Sequence, residues 1–187
     1  GLDDALAVTG VPVVLKALGR VHKSDGGGVM LGLRDADEAR AAYARLRADL
    51  APPAVSVEQH ADTDGGVEVI VGCVRDPRFG PVLMVGLGGV LTEVLTDTVL
   101  ALAPVTPERA RELLLSLRGA AVLDGVRGRT PVDLDALAGL VARVSAVAAA
   151  HPEIVELELN PVLAGPSAAV ALDARVVLDG QPSTSRR

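Results

Sequence analysis

Aromatic residues are almost absent from this chain of 187 residues: Tyr43 and Phe79 stand alone and there is no Trp. Any core must be filled with Val, Leu, Ile and Ala, and almost no surface remains on which nucleic-acid bases could stack. Lysine is nearly missing too, since Lys16 and Lys23 are the only lysines among 18 basic residues. The net charge is -6 and no basic stripe is present to displace counterions, which argues against nucleic acid as a partner. A bound anion would need local contacts, from Lys16, Lys23, Arg34, Arg75, backbone amides or a metal ion. The single cysteine, Cys73, excludes an internal disulfide and a Cys-based zinc site, and it fits a reducing cytoplasm. A mean hydropathy of +0.38 invites a membrane reading. A span needs roughly 18 consecutive apolar residues, however, and the longest charge-free runs, Phe79 to Thr92 and Leu159 to Leu172, fall short and contain Gly, Pro or Asn. No membrane association is expected. Asp3 and Asp4 stand where a signal peptide would be basic and then apolar. A chain opening on Gly1 without Met is expected to be a fragment of something longer.

What is present is 49% hydrophobic and 22% charged, enough for one compact domain or two small lobes sharing a hinge. Val11 to Ala17 (VPVVLKA) reads as a buried strand between Gly10 and Gly19, and a Gly-rich loop follows it. Val29 to Leu33 is a second strand. Asp35 and Glu38 have capping-box spacing at the head of a helix over roughly 36 to 50, ended by Pro52 and Pro53. Val55 to Gln59 and Val67 to Arg75 are strands, with a lobe boundary near the loop Ala61 to Gly66. Pro81 to Leu87 is a strand, and Val90 to Leu95 with Thr98 to Ala103 reads as a hairpin turning at Thr96-Asp97. Thr106-Pro107-Glu108 starts a helix expected to stop at Gly119, and a second helix runs from about Asp133 to Ala150. Ile154 to Leu159 and Ala168 to Leu178 close the fold as strands. Strands in runs with helices between them indicate an α+β class, in three parts: an N-terminal lobe over 1–60, a C-terminal lobe over 61–179 and a tail over 180–187.

Three segments offer chemistry, each beside a plainer reading. There is no G-x-x-x-x-G-K-[ST], and Gly86-Leu87-Gly88-Gly89 lacks the dinucleotide-loop spacing, so P-loop and Rossmann readings are excluded. Lys16 ends an otherwise apolar strand. An inward lysine needs an anion, such as a ligand phosphate, whereas one at a strand edge would simply face solvent. Val21-His22-Lys23-Ser24-Asp25-Gly26-Gly27-Gly28 offers a nucleophile or proton carrier, a cation, a donor and three glycines that let backbone approach a ligand, but it also reads as an ordinary polar hairpin loop. Asn160 is the sole asparagine and lies in Glu156-Leu157-Glu158-Leu159-Asn160-Pro161. Alternation puts both acids and the amide on one face, a donor set for Mg2+, with Asp173 as a further oxygen from the neighbouring strand, or else a plain polar face. The glycines around Gly86 to Gly89 read as a bulge or turn. His60 and His151 are assigned to structure or solvent.

Taken in order, VPVVLKA, HKSDGGGVMLGL, VEVIVGCVRDPRFGPVLMVGLGGVLTEVLTD, LALAPVT, and ELELNPVLA with ALDARV resemble the ATP-grasp region of NDP-forming acyl-CoA synthetases. The type is the ADP-forming acetate–CoA ligase β subunit, related to succinyl-CoA synthetase β. The resemblance covers about residues 8 to 178, with the family's N-terminal helix and first strand expected before Gly1. It implies an ATP-grasp fold that clamps ATP or ADP between two α+β lobes. It implies further that Lys16 contacts nucleotide phosphates with help from Lys23 and the amides of Gly26, Gly27 and Gly28, and that Glu68 lies on the nucleotide side. Asn160 and Asp173 match Mg2+ ligands, Glu158 the acid that positions a phosphohistidine loop, and His22 a histidine that carries phosphate transiently. CoA and the small organic acid would be handled by a CoA-binding α-like subunit or fused domain, in a hetero- or homo-oligomer. The implied activity is acid + CoA + ATP giving acyl-CoA + ADP + phosphate. The alternative is a regulatory, non-catalytic synthetase-like module of a GNAT-type protein acetyltransferase. A different ATP-grasp carboxylate ligase is a third reading, against which HKSD and ELELNP speak.

Overall fold

The computed structural model describes residues 1–19, 27–61, 66–89 and 97–180, apart from the side chain of Arg127. The chain divides into two compact units, Gly1–Asp62 and Thr63–Ser185. The stretch Val90 to Thr96 of the expected hairpin lies outside the described residues.

In the first unit, β1 (Val13–Ala17) is the centre of an antiparallel sheet with β2 (Val29–Leu33) and β3 (Val55–Gln59), in the order β2-β1-β3. The strand expected from Val11 starts at Val13, after Pro12, whose ring has no N–H to give the ladder. Val13, Leu15 and Ala17 are fully buried and pack toward α1 (Leu2–Thr9) and α2 (Ala36–Leu50). Helix α1 is not expected from the sequence, because its apolar residues are few: Leu6 alone is buried while Val8 is exposed. Helix α2 forms where the capping signal predicts: Asp35 Oδ1 accepts from the backbone N–H of Asp37 and Glu38. Glu38 reaches back to the N–H of Arg34, one residue before the usual capping-box partner. Facing Val14, β2 carries two residues, Leu31 and Gly32, and this bulge uses the φ of +66° at Gly32.

The second unit is built on a six-stranded antiparallel sheet. Its path is β6 (Thr98–Leu102), β5 (Gly80–Leu87), β4 (Val67–Asp76), β7 (Ile154–Ala164) and β8 (Ala169–Ala171), with β9 (Ala174–Leu178) also on β7. Thr98–Leu102 pairs with β5, with Met84 opposite Leu100; the other arm of the hairpin expected for it lies outside the described residues. Val69, Val71, Cys73, Leu83, Val85 and Leu157 point to one face, covered by α3 (Pro107–Leu115) and α4 (Leu134–Ala150). This core contains no aromatic ring, as the composition requires. Phe79 lies 62% exposed at the β4–β5 turn, with the Arg78 guanidinium 5.4 Å from its ring centroid.

Three boundaries differ from expectation. Helix α3 stops at Leu115 rather than Gly119 because buried Asp97 takes the N–H groups of Arg118 and Gly119 at 2.9 and 2.8 Å and bends the chain into a 3-10 segment, Ala120–Asp124. Strand β7 runs on through Pro161 to Ala164, and the expected strand Ala168 to Leu178 is divided at Leu172 and Asp173. The first of these two comes with a bulge against β4: Val69 pairs with Val162 and Val71 with Leu159, so Asn160 and Pro161 together face Ile70. The extra residue switches the inward face from Leu157 and Leu159 to Val162 and Ala164.

Candidate functional site

Each unit has a sheet face turned away from its helices, and the candidate residues lie there among apolar neighbours such as Val14 in the first unit and Val74 and Met84 in the second. On β1, Val14 and Lys16 point away from the helices. Lys16 sits on the central strand, not an edge, and its side chain is only 12% exposed. Its ammonium meets Glu58 Oε2 at 2.6 Å, while Glu58 Oε1 accepts the Ser56 hydroxyl at 2.7 Å. Ser56 is the direct cross-strand partner of Lys16, and Glu58 that of Val14. A nearly covered lysine is stable only beside an anion, and β3 supplies it. Alternation through Ser56 and Glu58 was the signal that would have placed Glu58 on this face from sequence.

The loop between β1 and β2 starts and ends beside Lys16, because Lys16 pairs with Val29 and the Ala17 N–H donates to Gly28 O at 2.7 Å. Gly27 has a φ of +70°, with open space where a Cβ would stand. His22, Lys23 and Gly26 lie outside the described residues.

On the second unit, Glu68, Gly72, Glu156 and Glu158 share the open face, with Gly72 directly opposite Glu158. Glu68 lies four residues further along β4, about 13 Å away at the usual strand rise. Its carbonyl accepts the Gly88 N–H at 2.6 Å, and a Cβ on Gly88 would stand 2.9 Å from the Glu68 backbone. The glycines of Gly86-Leu87-Gly88-Gly89 serve protein backbone: a Cβ on Gly86 would stand 2.9 Å from Asp97 O.

Asn160 and Asp173 face each other across the bulge, where the Asn160 N–H donates to Asp173 O at 3.2 Å and the Leu172 N–H to Pro161 O. The Asn160 amide Nδ2 donates to Glu158 Oε1 at 3.0 Å, and Asp173 Oδ1 accepts the Ala174 N–H. Arg175 pairs with Glu156 at 2.7 Å. Among the described residues no three His, Cys, Asp or Glu side chains cluster as a metal cage. The donor set here is two carboxylates and an amide oxygen, hard ligands of the kind Mg2+ takes alongside water and phosphate oxygens, so the residues fit that ion.

One sequence candidate has another duty. Arg75, considered as an anion contact, donates to the carbonyls of Ala148, His151 and Ile154 at 2.6, 3.0 and 3.0 Å, and so ties the C-terminus of α4 to β7. Burial pushes the Cys73 thiol up to about 11, which keeps it an unreactive core residue. His151 caps α4 and meets Glu153 at 2.9 Å.

A family model described as the ATP-grasp domain matches residues 3–178, and the chain belongs to that family. Within it, the chain matches the β subunit or β domain of ADP-forming acetate–CoA ligases. It is 39% identical over 180 residues to the β subunit of acetate–CoA ligase [ADP-forming] I of Pyrococcus furiosus, covering 90% of this chain and 76% of that subunit. It is 42% identical over 175 residues to acetate–CoA ligase [ADP-forming] I of Archaeoglobus fulgidus, but spans only 26% of that longer protein. Among solved structures, the dinucleotide-forming acetyl-coenzyme A synthetase 1 of Ca. Korarchaeum cryptofilum, in complex with coenzyme A, Ca-AMPCP and HgCl+, superposes with a TM-score of 0.87 at 35% identity, covering 95% of this chain and 82% of that one. A second structure of that protein contains Mg-AMPPCP, with a phosphohistidine segment pointing towards the nucleotide binding site. Among the described residues, no helix is long and apolar enough to cross a membrane.

Proposed function

We propose that this chain is the nucleotide-binding, phosphoryl-transfer domain of an ADP-forming acyl-CoA synthetase, which converts acid, CoA and ATP into acyl-CoA, ADP and phosphate, reversibly. The observation that carries the reading is the pairing of Asn160 with Asp173 beside Glu158 at the β7 bulge, in a chain 39% identical to such a ligase's β subunit. The CoA and nucleotide analogues in the Korarchaeum structures support ATP or ADP as ligand and CoA as co-substrate of the whole enzyme.

In this reading Lys16, Lys23 and the amides of Gly26 to Gly28 bind the phosphates. Glu68 lies on the nucleotide side, and Asn160 and Asp173 hold Mg2+, which when bound neutralises charge on the phosphate oxygens. Phosphoryl transfer needs placement and charge neutralisation more than covalent help, so an acidic chain can bind a polyanion through a few local cations and amides. His22, neutral near pH 7, offers a ring nitrogen as acceptor. In the ATP-forming direction the P–N bond to His22 breaks as a P–O bond to the terminal oxygen of ADP forms, and Glu158 positions the phosphohistidine loop. A CoA-binding α-like subunit or fused domain supplies the first phosphohistidine and the acyl site, and the assembly is an oligomer of the reducing cytoplasm.

The test is labelling with 32P-phosphate in the presence of acyl-CoA and the partner part. His22→Ala is expected to abolish label on this chain and leave label on the partner's histidine. Label retained on the His22→Ala chain would sink the shuttle role.

A further inference from the structure

The ion pair of Lys16 with Glu58 is not accounted for by any role above. Its geometry is a three-residue chain across two strands: Ser56 Oγ to Glu58 Oε1 at 2.7 Å, and Glu58 Oε2 to Lys16 Nζ at 2.6 Å. All three side chains lie on the face of the β2-β1-β3 sheet turned away from its helices. Lysine has a long stem with many rotamers, and here Val14 lies on its own strand and Val29 opposite. Among the described residues of β1, β2 and β3, Glu58 carries the sole negative charge. An ammonium has three donors, so a bond to Glu58 is compatible with donation to a phosphate oxygen.

We infer that Glu58 is a positioning residue for Lys16. Its carboxylate, itself held by Ser56, fixes the direction of the ammonium so that the cation is in place before a nucleoside diphosphate or triphosphate arrives. The inference rests on the reading of Lys16 as the phosphate contact. It adds that the contact depends on preorganisation by β3, because an unheld lysine would pay its ordering entropy on each binding event.

The experiment is equilibrium binding of ADP and of adenosine to the full-length protein that carries this domain, with Glu58→Gln and Lys16→Met made singly and together. Glu58→Gln is expected to weaken ADP by about tenfold, the scale of one charge-assisted hydrogen bond, and to leave adenosine unchanged. In the Lys16→Met background, adding Glu58→Gln should cost no further ADP affinity, the outcome expected of a residue whose effect on ADP runs through that lysine. Glu58→Asp should recover part of the loss. Should Glu58→Gln melt the protein, Ser56→Ala gives the same readout with a smaller loss in the same direction. Tighter ADP binding by Glu58→Gln would make Glu58 a competing counterion and overturn the inference, as would additive losses in the double variant or an equal loss for adenosine. If Lys16→Met alone binds ADP like the parent protein, the phosphate reading of Lys16 fails instead.

Discussion

The sheets of Gly1–Asp62 and Thr63–Ser185 each bury one face beneath helices, yet on the other face the first places a cation and the second places acids and an amide. They hold these groups by different means. Lys16 lies in a regular antiparallel ladder and is aimed by another side chain, Glu58. Asn160 and Asp173 are placed by backbone: Asn160 lies in the bulge that opposes two residues to Ile70, and its N–H donates to Asp173 O on the other edge of β7. Side-chain length explains the contrast. A long lysine can reach its target from a regular strand but needs a partner to stop it wandering, whereas an asparagine is too short to search and must be delivered by the chain itself.

The contrast should break most completely at the bulge. Asp173→Ala and Asn160→Ala are expected to raise the Mg2+ concentration needed for half-maximal phosphoryl transfer by at least about 100-fold, since loss of even an outer-shell partner of a metal site costs 10- to 100-fold. Glu156→Gln, on the same strand but paired with Arg175, should leave that concentration unchanged. An Mg2+ titration that moves equally for all three would mean that the open face acts only as a diffuse negative surface.

A smaller effect separates arginine from lysine. Arg75→Ala removes three bonds to backbone carbonyls and should destabilise the second unit by about 2 kcal/mol, lowering Tm by roughly 8 °C. Lys16→Met should leave Tm nearly unchanged while weakening nucleotide binding. Calorimetric scans of the two variants check both halves; a large Tm loss for Lys16→Met would make that lysine structural.

The smallest effect concerns the core itself. Cys73 is raised from 9.0 to about 11 by burial, so the unfolded chain sheds this proton first as pH climbs. Stability should therefore be unaffected by this group below about pH 8, decline from about pH 9, and level only above pH 11. Denaturation midpoints at pH 8 and 10 should diverge for the parent protein more than for Cys73→Ala.

Much of the fold was legible in the sequence because it follows local rules. Helix α2 was announced by Asp35 and Glu38, α3 by Thr106 and Pro107, and α4 by its apolar period and Asp133. Of the candidate site residues, Lys16 and Asn160 stood out because they are rare types in this chain. The less legible features depend on contacts distant in sequence. Asp97 ends α3 from 21 residues away, Arg75 caps α4 from 73 residues away, and the residues opposing Asn160 and Pro161 lie on β4.

The sequence by itself determined an α+β chain with an aliphatic core, the starts of its three later helices, and the order of motifs that mark an ATP-grasp domain of the acetate–CoA ligase type, because composition, caps and motif order are all local properties. Only the tertiary structure decided which strand Thr98–Leu102 joins, that Pro161 lies inside a central strand, that Arg75 serves the helix and that Glu58 holds Lys16. Pairing register and long-range hydrogen bonds are set by whichever packing buries the most apolar surface with every buried polar group matched, and that choice is made by the whole unit at once.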